Sequence, residues 1–298
     1  MKSAFFFFID GLGIGQAGEK NPLSLLVDGG FSEMADCQSW TEEDFTYHAE
    51  KNLFTSPIDA RLRIKGLPQS GTEQATNFTG VHCVALAERH YGPHPHSSSR
   101  PILAESNLYH QVGPTASAFA SAYPSRFFEY ARKRNRWSTT TRCCLEAGVT
   151  IRTIADLENG IAIAADITGR GLAGVAETDL TIISERGAAK RIAGLCEQYW
   201  LVVFECFHTD KAGHAQNEAA AARCGESIDR FLSGLLEFMD FDSNSVVISS
   251  DHGNIEDLGV KTHTLNPVPL VVRGPAAPFF KSLNDLTGIA GAITAATT

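Results

Sequence analysis

Three scarcities in this sequence each exclude a class of protein. Cysteine is present only seven times, an odd number with no C-x-x-C spacing, so neither a disulfide framework nor a zinc ribbon or dithiol redox pair is expected. The expected state is reduced thiols in a cytoplasmic protein. Positive charge is short: 25 Lys and Arg against 34 Asp and Glu leave a formal net charge of -9, which gives no footprint for nucleic acid or an anionic membrane. Long apolar runs are missing too. The run Phe5-Phe6-Phe7-Phe8-Ile9 stops at Asp10, too early for a secretory h-region, and nothing approaches the roughly 20 apolar residues of a membrane span. That first run is read as a core strand.

What remains is ordinary globular composition, 43% hydrophobic and 20% charged over 298 residues, enough for one domain with a substantial core. The informative pattern is how the apolar runs end. Val246-Val247-Ile248-Ser249-Ser250 leads into Asp251-His252-Gly253-Asn254. Phe5–Ile9 leads into Asp10-Gly11, and Leu201–Phe204 leads, through Glu205-Cys206-Phe207-His208, to Asp210-Lys211-Ala212-Gly213-His214. Lys261-Thr262-His263-Thr264 precedes Asn266-Pro267-Val268-Pro269. Ligands in open α/β sheets gather at the carboxyl ends of strands, and the three aspartates and three histidines there are donors suited to Zn²⁺ or Mn²⁺. Two divalent ions about 4 Å apart need that many ligands and a nucleophile between them. Gln69-Ser70-Gly71-Thr72-Glu73 opens a predicted helix from Glu73 to about Leu86, with Thr72 at its N-terminus as the candidate nucleophile.

Asp10-Gly11, Thr72-Glu73, Asp210-x-x-x-His214, Asp251-His252-Gly253-Asn254 and His263-Thr264-x-Asn266-Pro267-Val268-Pro269, in that order, resemble the alkaline phosphatase superfamily, closest to its branch of cofactor-independent phosphoglycerate mutases and phosphopentomutases. The resemblance covers roughly residues 1 to 85 and 200 to 275. It implies a three-layer α/β/α sandwich on a doubly wound, mostly parallel sheet, with two divalent metal ions (Zn or Mn). One ion would be held by Asp10, Thr72, Asp251 and His252, the other by Asp210, His214 and His263. Two departures stand out: the mutases carry Ser where Thr72 is placed, and they bear a large inserted cap that this chain is too short to hold.

Gly13-Ile14-Gly15-Gln16-Ala17-Gly18 is a literal G-x-G-x-x-G after a strand. Asn21-Pro22 follows where a phosphate-binding helix should run, so the glycines are read as a turn leaving Asp10. Residues 19 to 66 read as surface loops with short helices, and His90, His94 and His96 lie in a Pro- and Ser-rich loop. Ile102 to Gln111 reads as a helix and Ala116 to Tyr123 as a strand extending the core sheet. Residues 124 to 178 are read as a reduced cap within a single domain spanning 1 to 298. The cap's basic stretch makes Arg132, Arg134, Arg136 and Arg170, with Lys211, the pool of substrate contacts. Helices are expected at Leu180–Gln198, Glu218–Met239 and Ser282–Thr297, with a further strand at Val268–Val272. The expected activity is hydrolysis of a small phosphate ester through a phosphothreonine, with no nucleic-acid or membrane partner. The alternatives are a phosphomutase and, in a different class, an inactive metal-binding module.

Overall fold

The computed structural model describes residues 3–173 and 180–297. The strands are β1 Ser3–Ile9, β2 His48–Ala49, β3 Leu53–Ile58, β4 Ser117–Phe119, β5 Ser121–Tyr123, β6 Arg152–Thr153, β7 Ile163–Ala164, β8 Leu201–Cys206, β9 Asn244–Ser249 and β10 Val268–Arg273. Seven form the main sheet in the order β2-β3-β10-β9-β1-β8-β4. β1 is an interior strand, parallel to β8 on one side and β9 on the other, and β4 continues the parallel half beyond β8. β10, β3 and β2 add antiparallel pairings at the opposite edge. Helices cover both faces, giving a three-layer α/β/α sandwich.

β1 is apolar without alternation because both of its faces are covered. Phe6 and Phe8 point to the layer that holds the helix Ser70–Thr79, where both meet Phe78. Phe5 and Phe7 point to the layer of Glu185–Cys196 and Glu218–Phe238, where Phe7 lies 5.4 Å from Phe204 and 5.3 Å from Phe231. Truncating such a ring removes its transfer energy and leaves a cavity. Phe7→Ala is therefore expected to lower unfolding free energy by about 3–5 kcal/mol, read from the denaturant midpoint.

Several element boundaries differ from those expected. Residues 53–58, read as loop, form a strand of the main sheet. Its Pro57 is tolerated because the two-residue β2 pairs only with Phe54 and Thr55, leaving that side of Pro57 free of a ladder. Gly80 (φ 76°) ends the helix that was expected to reach Leu86. Asn107 breaks the helix expected over Ile102–Gln111 into Arg100–Glu105 and Leu108–Val112, its side chain accepting from Tyr109 N at 3.0 Å. Ser184 caps Glu185–Cys196, the core of the helix expected over Leu180–Gln198, and the closing helix is shortened to Ile289–Thr297. The strand at 116–123 divides at Ala120: β4 stays in the main sheet, while β5 joins β6 and β7 in a second, parallel sheet. That sheet and the helices Ser125–Arg134 and Thr139–Ala147 build the segment expected to be a cap; the stretch 174–178 of that expectation lies outside the described residues.

Candidate metal centre

The carboxyl ends of β1, β8 and β9 meet at one place, and two groups of donors lie there. Asp10, Asp251 and His252 are one; Asp210, His214 and His263 are the other. In the first, His252 Nε2 is 3.5 Å from both Asp10 Oδ1 and Asp251 Oδ2. In the second, Asp210 Oδ1 is 3.4 Å from His214 Nε2 and 3.6 Å from His263 Nε2. The two groups adjoin, because the His252 and His263 rings stack with centroids 3.6 Å apart.

Hydrogen bonding around the second group fixes its tautomers. His214 Nδ1 lies 2.9 Å from Lys261 O and His263 Nδ1 2.6 Å from Pro68 O, and a carbonyl can only accept. Each Nδ1 therefore carries a proton, and in the neutral imidazoles the two Nε2 lone pairs, 3.1 Å apart, both face the Asp210 carboxylate. Three electron-rich atoms converging without a hydrogen between them is an arrangement a cation completes. The first group shows the same deficit: Asp10 Oδ1 is buried with no hydrogen-bond partner. The residues thus fit two divalent ions.

Neighbours hold the ligands in place. Gln74 Nε2 donates to Asp251 Oδ2 at 2.9 Å and Asp10 Oδ2 at 3.2 Å, and Asn254 Nδ2 donates to Asp210 Oδ1 at 2.6 Å. Gly11 has φ 72°, and a Cβ there would stand 2.8 Å from Asp210 Cβ and 3.0 Å from its Oδ1. Gly11→Ala is therefore expected to displace Asp210 and cost the second ion, leaving about one equivalent by elemental analysis. The G-x-G-x-x-G glycines serve packing: Gly13 N donates to Glu256 Oε2 at 2.9 Å, and a side chain at Gly13 would overlap that carboxylate. Glu256, unremarked in the sequence, is buried and also accepts from Asn254 N, Asn266 Nδ2 and the Thr264 hydroxyl, joining three site loops.

Thr72 is not brought to the donors. Its hydroxyl donates to Glu73 Oε2 at 2.5 Å and accepts from Tyr91 N at 2.9 Å, behind the helix in a buried network with His90. Ser70 stands in its place, with Oγ 3.0 Å from His252 Nε2. The helix begins at Ser70, and Ser70, Gln74 and Asn77 form one stripe toward the strand ends, Asn77 Nδ2 donating to Ser250 O at 3.0 Å. Two residues on, Thr72 is rotated about 200° away. That polar i, i+4, i+7 stripe was the readable signal for the serine.

A cavity of about 760 Å³ opens beside Asp10, Ser70 and Asp210. Lys211 lines it, its Nζ 4.2 Å above the Phe207 ring. The arginines expected there do not. Arg126 and Tyr130, one turn apart on Ser125–Arg134, face the cavity, while Arg132 and Arg134 are exposed elsewhere on the helix over the Phe128 and Tyr130 rings. Arg136 lies past the helix end in a neighbouring cavity with Arg100 and Arg142. Asp166 does make the tight turn, accepting from Gly169 N and Gly171 N, but Arg170 opens into another cavity with Arg223 and Arg230.

Burial, against the Gln74 hydrogen bond and with the nearby Asp210 charge, raises the Asp251 carboxyl to about 6 without ions. Burial lowers His252 to about 3, so its imidazole is neutral at working pH. An ion must expel the proton held by Asp251 below about 6. Burial and the Asp251 charge raise the Asp10 carboxyl as well, so ion affinity is expected to weaken from pH 8 to pH 5, with proton release on binding growing toward the acid end. Calorimetry in buffers of different ionisation enthalpy measures that release.

The fold and the donor set together define an α/β metal-site protein. The chain belongs to the Metalloenzyme superfamily, whose family model matches residues 122–296. It is 34% identical over 101 residues to the 2,3-bisphosphoglycerate-independent phosphoglycerate mutase of Roseobacter denitrificans, a match covering 32% of this chain and 20% of that protein. It is 30% identical over 146 residues to phosphoglycerate mutase 2 of the same kind from Methanothermobacter thermautotrophicus, covering 47% of this chain and 34% of that one. The matches thus span about a fifth to a third of these relatives. Among solved structures, the PH0037 protein from Pyrococcus horikoshii superposes with a TM-score of 0.59 at 12% identity, over 99% of this chain and 97% of that one. The alkaline phosphatase from the Antarctic bacterium TAB5 gives 0.53 at 11%, with the same coverage.

Proposed function

We propose that the protein is a two-metal phosphoryl-transfer enzyme that hydrolyses a small phosphate ester, with Ser70 as the nucleophile. The observation that carries this is the placement of one hydroxyl, Ser70 Oγ, against a converging set of three carboxylates and three imidazoles with the spacing of metal donors. Bound divalent ions, Zn²⁺ or Mn²⁺ by donor type, would lower the hydroxyl's pKa and neutralise charge on the transferring oxygens. The protein's part is positioning: Gln74 and Asn254 orient the carboxylates, and the N-terminus of Ser70–Thr79 favours the anionic group. The substrate is drawn into the 760 Å³ cavity with Lys211 and Arg126 as its cationic contacts. A phosphoserine forms first, and water releases it.

Hydrolysis is favoured over mutase chemistry by the cavity wall. A mutase must hold the phosphoenzyme away from water while the substrate turns. Here Tyr130, on the cap side of the cavity, is 52% exposed, and Arg126 beside it is exposed as well. The protein should be saturated with Mn²⁺ or Zn²⁺ and given a panel of phosphate esters, with inorganic phosphate and isomerised ester both assayed. Stoichiometric phosphate release is expected. An isomerised ester without phosphate would replace hydrolase by mutase, and no turnover of any ester with either metal would remove the enzymatic reading.

A further inference from the structure

Next to the substrate cavity lies a second one, of about 320 Å³, on which Arg100, Arg136 and Arg142 converge and which no carboxylate lines. Arg142 reaches an acid outside the lining, Glu146, at 3.1 Å and donates to Asn135 Oδ1 at 3.2 Å. Its Nε is nevertheless buried with no hydrogen-bond partner among the described residues. Arg100 and Arg136 are in no ion pair among the described residues, and Arg100 Nε donates to a backbone carbonyl, Pro95 O, at 3.3 Å. Like charges gathered without an acid among them cost stability, and a guanidinium presents a planar fork of donors that matches an oxyanion. An anion in this cavity removes the repulsion and meets the free donors.

The two cavities share a wall. Pro93 and His94 line both, and Trp137 lines this one while the next residue, Ser138, lines the substrate cavity. The shared loop is seated on the helix that begins at Ser70: Thr72 N donates to Tyr91 O at 2.9 Å and Tyr91 N to the Thr72 hydroxyl at 2.9 Å. The approach is close, since a Cβ on Gly71 would stand 2.2 Å from His94 O and one on Gly92 3.3 Å from Ser70 N. The arginines are therefore one loop away from the Ser70 helix start. His94 Nδ1, at the junction, is also buried without a hydrogen-bond partner. Opposite, Trp137 packs edge-on against Phe127 at 5.9 Å, which fixes that side.

We propose that this cavity binds a second phosphate group of the ester, so that the preferred substrates are small molecules phosphorylated at both ends; the inference rests on the phosphoryl-transfer reading above. One phosphate meets Ser70 and the donor groups, and the other meets Arg100, Arg136 and Arg142 across the Pro93-His94 wall. A terminal phosphate presents three acceptor oxygens, one for each guanidinium, where a carboxylate presents two.

The test compares alkanediol bisphosphates of increasing chain length with the matching alkyl monophosphates on the metal-saturated enzyme. Wild-type kcat/KM is expected to favour the bisphosphate about 30-fold or more at one best length, because two tethered contacts must span a fixed distance. An ester ending in a carboxylate should gain less than about 5-fold. Arg100→Ala and Arg136→Ala, both at exposed residues, are each expected to cut the preference about tenfold or more, chiefly through KM. Arg132→Ala removes the same charge nearby, but its side chain lies over the Phe128 ring and lines neither cavity, so the preference should stand. No preference at any length, an equal loss in Arg132→Ala, or a stronger gain from the terminal carboxylate overturns the assignment and leaves the phosphoryl-transfer reading intact. If the wild type turns over neither kind of ester, that reading fails, and calorimetry with the matching alkane bisphosphonates and monophosphonates decides the cavity by itself. Tighter bisphosphonate binding that is lost in Arg136→Ala upholds the second phosphate contact, and equal binding removes it.

Discussion

Ser70→Ala is expected to reduce turnover of any phosphate ester by about 10³-fold or more while leaving metal content unchanged. Ser70 Oγ is the one hydroxyl within hydrogen-bonding distance of a proposed ligand imidazole, His252, among the described residues. Removing it takes away the bond-forming atom and none of the six carboxylate and imidazole donors. Thr72→Val is the necessary contrast. Its hydroxyl serves Glu73 and Tyr91, so its loss should cost stability, about 1–3 kcal/mol as a lowered Tm, with kcat within about tenfold of wild type. Substrate trapping in acid should leave phosphate on the peptide containing Ser70, with Ser70→Ala unlabelled. Collapse of turnover in Thr72→Val with Ser70→Ala active would return the nucleophile to the threonine.

The second large effect is expected at His214. Its side chain is 44% exposed and belongs to the second donor group, so His214→Ala removes a ligand at little cost to folding. Asp210 and His263 are then left as two protein donors, too few to hold a Zn²⁺ or Mn²⁺ ion tightly. Metal content should fall from about two equivalents per chain to about one, and kcat by about 100-fold or more, because only one cation remains to neutralise the transferring oxygens. Ten-fold excess Zn²⁺ should restore part of the activity if the weakened site refills. Unchanged metal content in His214→Ala contradicts the division into two groups.

The parts of the site legible in the sequence were those written as strand ends. β1, β8 and β9 are buried on both faces, so they appear as apolar runs, and Asp10 follows β1 at once, Asp251-His252 follows β9 after one residue and Asp210 follows β8 after three. Leu53–Ile58 gave no such signal: Thr55, Ser56 and Pro57 interrupt it, and its place in the sheet comes from pairing with β10, over 200 residues away. A helix starting at Glu73 puts Thr72 at its N-terminus, whereas the actual start at Ser70 turns a different face to the strands. The basic stretch 126–136 was visible as charge, but which arginine faces the cavity depends on how Phe127 seats Ser125–Arg134 against Tyr123 and Trp137. Glu205 and Glu256 read as unremarkable acids, because their burial arises from packing with Tyr123 and Thr140 and with Thr264 and Asn266 respectively.

The central claim is that two cations complete these donors beside Ser70. Anomalous difference maps from crystals grown with Mn²⁺ or Zn²⁺ and recorded at the metal's absorption edge test it most directly. Two peaks are predicted, one bounded by Asp10, Asp251, His252 and Ser70, the other by Asp210, His214 and His263. A metal-saturated crystal with no peak among these seven residues, or with its only peaks elsewhere, contradicts the account.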